Sequence, residues 1–142
     1  MTTIRQILSR KPEIFSVDPD ATVFEALRLM EERNIGALLV MKGGRLVGIF
    51  SERDYARRMV LQGRASKDTP VREVMTADVF VIAPDVTSGE CMVHMTDRHI
   101  RHLPVVEGGG VVGVISIGDV VRAVIEDLRF TISQLEGYIN RG

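Results

Sequence analysis

Gly48-Ile49-Phe50-Ser51-Glu52-Arg53-Asp54 and Gly113-Val114-Ile115-Ser116-Ile117-Gly118-Asp119 share the pattern G-x-x-S-x-x-D at an offset of 65 residues. Pro19 and Pro84 keep the same offset. Extended backwards without a gap, residues 17–54 align with 82–119, and 15 of the 38 paired positions are identical. A period of 65 with only two copies is too long for a solenoid array. It predicts two similar units packed about a pseudo-twofold axis, with their shared face as the core.

Working outward from the repeated stretch, each unit reads as β-α-β-β-α. A short apolar strand, 14–17 or 79–82, precedes a proline, which keeps the residue before it extended. Thr22-Val23-Phe24-Glu25 and Thr87-Ser88-Gly89-Glu90 have the capping-box pattern. Val23, Ala26, Leu27 and Met30 then recur at helical spacing, with Met92 and Met95 in the second copy. Two strands follow in each unit, 37–41 with 46–50 and 103–106 with 111–115, joined through Gly43-Gly44 and Gly108-Gly109-Gly110. Their run of β-branched residues and Leu predicts burial on both faces. A second helix starts at Ser51 or Ser116. The class is therefore α/β (α+β). Thr69-Pro70 predicts a short helix over 71–75 with Thr as N-cap and Pro at the first helical position, mirrored by 4–8. Leu128, Ile132, Leu135 and Ile139 give the tail a helical stripe that should dock on the body or on a second subunit. The expected domains are repeat 1 with the N-terminal helix (1–62), a linker (63–69), repeat 2 (70–128) and a helical tail (129–142).

The 142 residues carry 18 basic and 19 acidic side chains, a net charge of −1. That balance argues against broad electrostatic binding to nucleic acid. Aromatic residues are 5% with no Trp, so the usual stacking platform for single strands is missing. No apolar run reaches the roughly 18 residues of a membrane span, and no signal peptide is visible. A lone cysteine, Cys91, cannot form an internal disulfide, which fits a reducing cytoplasm.

The two G-x-x-S-x-x-D stretches, together with Arg101-His102-Leu103-Pro104-Val105-Val106, resemble a tandem CBS domain pair, the Bateman module named after cystathionine β-synthase. The resemblance covers nearly the whole chain, and the tail Phe130-Thr131-Ile132-Ser133-Gln134-Leu135-Glu136 is similar to that of stand-alone bacterial members. It implies adenine-nucleotide binding (AMP, ADP, ATP, S-adenosylmethionine or NAD) in clefts between the repeats, no catalysis, and a disc-like homodimer. The helices over 55–60 and 120–125 are candidate interfaces.

The residues themselves fit a nucleotide site. Asp54 and Asp119, in the first turn of a helix, can accept two hydrogen bonds from a ribose diol. The helix N-termini and the guanidiniums of Arg53 and Arg101 suit phosphate, with His102 beside them. Val17, Ile35, Ala37, Ile82 and Ile100 would floor an adenine ring, and extended backbone around Gly36 and Pro104 could read its edge. Ser51 and Ser116, which open the helices, complete the candidate set. Ser-x-x-Asp is equally a helix-capping pattern, and the two roles are compatible. Arg53 pairs with Gly118 in the alignment, and Gly36-Ala37 with Arg101-His102, so the two clefts should differ.

Other features read as structure. Residues 108–113 fit G-x-G-x-x-G, but the dinucleotide fingerprint needs a helix where a strand is expected here. No Cys or carboxylate completes a tetrahedral set with His94, His99 and His102 at the usual sequence spacing, so no metal is expected. Cys91 is a small core residue. Arg57-Arg58 and Glu31-Glu32-Arg33 read as solvated helix charges. The resulting expectation is a cytoplasmic, non-catalytic adenine-nucleotide sensor acting by linkage on an unknown regulated protein, without nucleic acid or membrane partners. The alternatives are a protein scaffold with degenerate clefts and an enzyme acting on a nucleotide.

Overall fold

The computed structural model describes residues 1–11 and 13–141; Pro12 and Gly142, which fall in the expected first domain and tail, lie outside the described residues. In chain order the elements are α1 (Ile4–Leu8), β1 (Ser16–Val17), α2 (Val23–Arg33), β2 (Ala37–Lys42), β3 (Arg45–Ser51), α3 (Glu52–Tyr55), α4 (Ser88–Arg98), β4 (His102–Glu107), β5 (Gly110–Ser116) and α5 (Ile117–Arg141). A π-helical turn, Ala56–Val60, continues α3, and a 3-10 turn covers Val71–Glu73. The class is mixed α/β, as the alternating strand and helix patterns predicted.

The chain divides into two compact units, Ile14–Phe80 and a second made of Met1–Glu13 with the residues from Val81 onward. In the first unit β1 runs parallel to β2, and β2 runs antiparallel to β3 with Ala37 opposite Ser51. Gly43 and Gly44 both take positive φ, 58° and 78°, which a two-residue hairpin turn demands. Thr22 and Glu25 close a full capping box on α2, and Val23, Ala26 and Met30 are its buried stripe. Those three pack with Leu38, Val40, Phe50, Met59, Val71 and Val74. This unit thus has a core of its own.

The segment after residue 69 packs here as well. Val71 donates to the Ala21 carbonyl (2.8 Å) and Arg72 to that of Pro19 (3.0 Å). The predicted 71–75 helix shrinks to one 3-10 turn because Pro70 holds the capping position and offers no side-chain acceptor. Thr69 does not cap it; its hydroxyl donates to the Ala65 carbonyl at 2.8 Å.

The close approach of this segment explains a repeated glycine. A Cβ on Gly48 would sit on Met75 Sδ and 3.0 Å from the Thr76 carbonyl oxygen. At the matching Gly113 the nearest atoms are those of the Leu8 side chain, the first at 2.6 Å. Backbone cannot step aside as a leucine tip can. Gly48→Val is expected to destabilise by about 1–3 kcal/mol, and Gly113→Ala by less. Urea denaturation of both variants checks the order.

In the second unit β4 and β5 form a hairpin with His102 opposite Ser116. The predicted strand over 79–82 is reduced to a single parallel bridge, Ile82 to Val105. Pro104 stands where β2 has Leu39, and Leu39 donates its N–H to the Phe15 carbonyl (3.4 Å). Proline has no N–H to give, so that rung of the ladder is absent. Thr87 caps α4 by accepting from the Glu90 N–H, while its hydroxyl donates to the Glu90 carboxylate.

The N-terminal helix packs in this unit rather than with repeat 1. Ile4 and Arg5 donate to the Val86 and Pro84 carbonyls, both at 2.9 Å, and Ser88 donates to the Thr2 carbonyl at 2.8 Å. Arg5 also pairs with Glu107 and Asp85. Each unit thus takes its short opening helix from the stretch preceding the other repeat's first strand. Finally, the expected second helix and tail are one continuous helix, α5.

Candidate functional site

Ser51 ends β3 and Ser116 ends β5, each at the N-terminus of a helix, so both Ser-x-x-Asp stretches form reciprocal caps. In the first unit the Ser51 N–H donates to Asp54 Oδ2 (2.9 Å) and the Asp54 N–H to Ser51 Oγ (3.2 Å). In the second the Ser116 N–H donates to Asp119 Oδ2 (3.0 Å) and the Asp119 N–H to Ser116 Oγ (3.2 Å). The helix starts are anchored alike: Glu52 donates to the Gly36 carbonyl (3.1 Å) and Ile117 to that of Arg101 (2.8 Å). The carboxylates are nearly covered, Asp54 at 12% exposed and Asp119 at 10%. The capping role is therefore present in both copies.

What surrounds the two carboxylates differs, through residues other than the Arg53/Gly118 and Gly36-Ala37/Arg101-His102 pairs on which the expected difference rested. Asp54 Oδ1 accepts from the Thr76 hydroxyl at 3.1 Å. Arg58 lies 4.0 Å from it and donates to the Val74 and Met75 carbonyls at 3.1 and 2.7 Å. Arg58 is thus a bridge to the segment after residue 70, which corrects its reading as a solvated charge. Asp119 instead meets two cations. Lys11 Nζ donates to Asp119 Oδ2 at 2.6 Å and to the Val114 carbonyl at 3.1 Å, and Arg122 donates to Asp119 Oδ1 at 2.9 Å. Thr76 and Lys11 occupy corresponding places, each just after its unit's short opening helix. A cavity of about 520 Å³ opens here, lined by Arg10, Lys11, Asp119, Arg122, Glu126 and Thr2 among others.

Burial pushes the Asp119 carboxyl up, but hydrogen bonds from Lys11 and from the Ser116 backbone and side chain outweigh it and hold it below the usual value. A depressed carboxyl contributes stability above its unfolded pKa and loses it as pH falls through the folded one. Lys11→Met is expected to move Asp119 back toward the ordinary carboxylate range, so that its pairing fails at a higher pH. A carbon-detected NMR titration of the Asp119 carboxyl reads the shift directly. His102 is pushed below its ordinary value by burial, with Lys11 acting the same way and Asp119 opposing. The shift favours the neutral imidazole, which can both donate and accept.

The other predicted site residues group by unit. Val17, Ile35, Gly36, Ala37, Ser51 and Asp54 lie in the first, Ala37 buried and Val17 and Ile35 half-buried. Ile82, Ile100, Arg101, His102, Pro104, Ser116 and Asp119 lie in the second, with Ile82 and Pro104 buried and Arg101 exposed. Arg53 is exposed on α3. Lys11 and Arg122 escaped the sequence reading. Arg122, three residues after Asp119, had a helical-spacing signal; Lys11, 108 residues away, had none.

Cys91 is fully buried and its thiol is pushed up to about 11 by burial, as suits a core residue. The stretch 108–113 leads into β5, a strand, so it lacks the helix a dinucleotide turn requires.

A CBS-domain family model matches residues 4–61 and 71–126. The chain belongs to the CBS domain family. The CBS domain-containing protein CBSX3, mitochondrial, of Arabidopsis thaliana is 43% identical over 128 residues, 87% of this chain. The chain spans 62% of that relative's length. Among solved structures, a CBS-domain protein from Burkholderia ambifaria MC40-6 superposes with a TM-score of 0.85 at 48% identity, covering 89% of this chain and 96% of the other. The CBS domain pair of protein MJ0100, solved with 5-methylthioadenosine and S-adenosyl-L-methionine, gives a TM-score of 0.79 at 25% identity, covering 89% and 98%. The protein is therefore a tandem CBS pair. Among the described residues no helix is long and apolar enough to cross a membrane.

Proposed function

We propose that this CBS pair is a non-catalytic regulatory module that binds an adenine nucleotide, with Asp54 and Asp119 as ribose acceptors. The observation that carries the reading is the Asp119 site: a capped carboxylate facing a cavity beside Lys11, Arg10 and Arg122. A ribose hydroxyl replaces Lys11 as the partner of Asp119 Oδ2, and the released ammonium, with Arg122, takes phosphate. Phosphate-bearing ligands such as AMP, ATP or NAD therefore suit this site better than an uncharged nucleoside. Around Asp54 the Thr76 hydroxyl replaces the ammonium and Arg58 is committed to backbone carbonyls, which suits a ligand of lower charge. Support comes from the adenosine-type ligands in the MJ0100 structure. The ligand acts by favouring one arrangement of the module that a partner protein reads, limited by its differential affinity for the two states. A homodimer is part of the same reading.

Native mass spectrometry of the protein as purified, followed by calorimetric titration with AMP, ATP, NAD and adenosine, tests it. Tighter binding of the phosphorylated ligands, without turnover, is the expected result. Absence of heat and mass shift with all four would overturn it in favour of a protein-only scaffold, and product formation would favour an enzyme.

A further inference from the structure

Lys11 occupies the very oxygen that a ribose would need. Ser9, Arg10 and Lys11 fold back on α1, their N–H groups donating to the carbonyls of Arg5, Ile7 and Leu8 at 3.1, 3.1 and 2.9 Å. That turn sets the Lys11 ammonium between Asp119 Oδ2 (2.6 Å) and the Val114 carbonyl (3.1 Å), with 38% of the side chain exposed. A carboxylate offers about four acceptor positions, two on each oxygen. Among the described residues, Asp119 Oδ2 accepts from both the Ser116 N–H and Lys11, whereas Oδ1 takes Arg122 and has a position to spare. A diol that bridges both oxygens must therefore take a place on Oδ2. The Ser116 N–H is fixed by the helix cap, so the donor that yields is Lys11. In the first unit the matching second donor on Asp54 Oδ2 is only the Ser51 hydroxyl, at 3.1 Å. A hydroxyl gives way by turning about one bond and releases no charge.

We propose that Lys11 determines the specificity of the Asp119 site, turning away uncharged and cationic adenosines and admitting those that carry phosphate. Once displaced, the ammonium stands in a cavity that Arg10 and Arg122 also line. A phosphate pairs with it again, so the exchange conserves charge-assisted hydrogen bonds. An uncharged nucleoside takes the carboxylate and returns nothing to Lys11. S-adenosylmethionine brings a sulfonium and adds a further positive charge beside it. Specificity is a difference of affinities, and here it comes from a contact that the wrong ligand breaks without replacing. The proposal rests on the ribose reading of Asp119 given above and adds to it the class of ligand that the site excludes.

The test titrates the full chain with adenosine, S-adenosylmethionine and ATP while carbon-detected NMR follows the Asp119 carboxyl, so that binding at Asp54 is not mistaken for binding here. In the wild type ATP should bind well ahead of the other two. Lys11→Met should tighten adenosine about 10-fold or more and weaken ATP about 10-fold or more, because each exchange then gains or loses one charge-assisted hydrogen bond. S-adenosylmethionine should tighten with adenosine. Loss of positive charge by itself weakens ATP alone, so the gain for adenosine is the diagnostic result. Arg10→Met removes the same charge from the same cavity, but Arg10 pairs with Glu126 (3.8 Å) and not with Asp119, so it should weaken ATP without helping adenosine. Lys11→Arg should keep the wild-type order. Wild-type ATP binding combined with an adenosine affinity that Lys11→Met leaves unchanged or lowers would overturn the proposal and leave the ribose reading standing. No response of the Asp119 signal to any of the three ligands, in wild type and Lys11→Met alike, would overturn both.

Discussion

Asp119→Ala is expected to lower the affinity for AMP or ATP about 100-fold or more, which calorimetry would read. A carboxylate that accepts both hydroxyls of a ribose supplies two charge-assisted hydrogen bonds, each typically worth about 1.5–3 kcal/mol, and tenfold in affinity is about 1.4 kcal/mol. The substitution also frees Lys11 and Arg122 from the carboxylate they share, so some phosphate attraction survives, and this keeps the loss finite. Asp119→Asn separates the roles: it keeps an acceptor for the Ser116 N–H but loses the charge and one acceptor oxygen. Its affinity should fall between wild type and Ala, with the helix start intact. Asp54→Ala should cost less with ATP, because the neighbouring Thr76 brings no positive charge to a phosphate. Unchanged ATP affinity in Asp119→Ala, with a lower melting temperature alone, would reduce both aspartates to caps.

Phe50→Ala is expected to destabilise the first unit by about 3–5 kcal/mol, read by urea denaturation. Phe50 is among the largest fully buried side chains and packs in the cluster with Val23, Ala26, Met30 and Met59. Whole domains are stable by only about 5–15 kcal/mol, so this is a large fraction. The residue directly precedes Ser51, and the loss therefore loosens the Asp54 cap before it touches Asp119. Limited proteolysis should cut the first unit first. A cost under about 1 kcal/mol would mean that the neighbouring side chains collapse into the space, contrary to the close packing described.

Much of this was legible in one dimension because it is local. The Thr22 and Ser51 caps, the glycine turns and the strand–helix order all concern residues within a few positions of one another, and the 65-residue offset repeats those local patterns. Short-range hydrogen bonding and side-chain periodicity govern such features, and both are written directly in spacing. The aspartates could be found for the same reason, though their two readings, cap and ribose acceptor, share one pattern.

Contacts across the chain escaped that reading. Residue spacing says nothing of whether 1–13 joins the nearer or the farther repeat; backbone hydrogen bonds from Ile4, Arg5 and Ser88 settle it, and so bring Lys11 to Asp119. That Pro104 falls where the first unit has a strand rung, which its missing N–H removes, shows only in the tertiary pairing. Patterns along the chain encode which elements form, because those depend on neighbours; which charges meet depends on packing, where a single displaced segment exchanges a threonine hydroxyl for a lysine ammonium beside otherwise equivalent carboxylates.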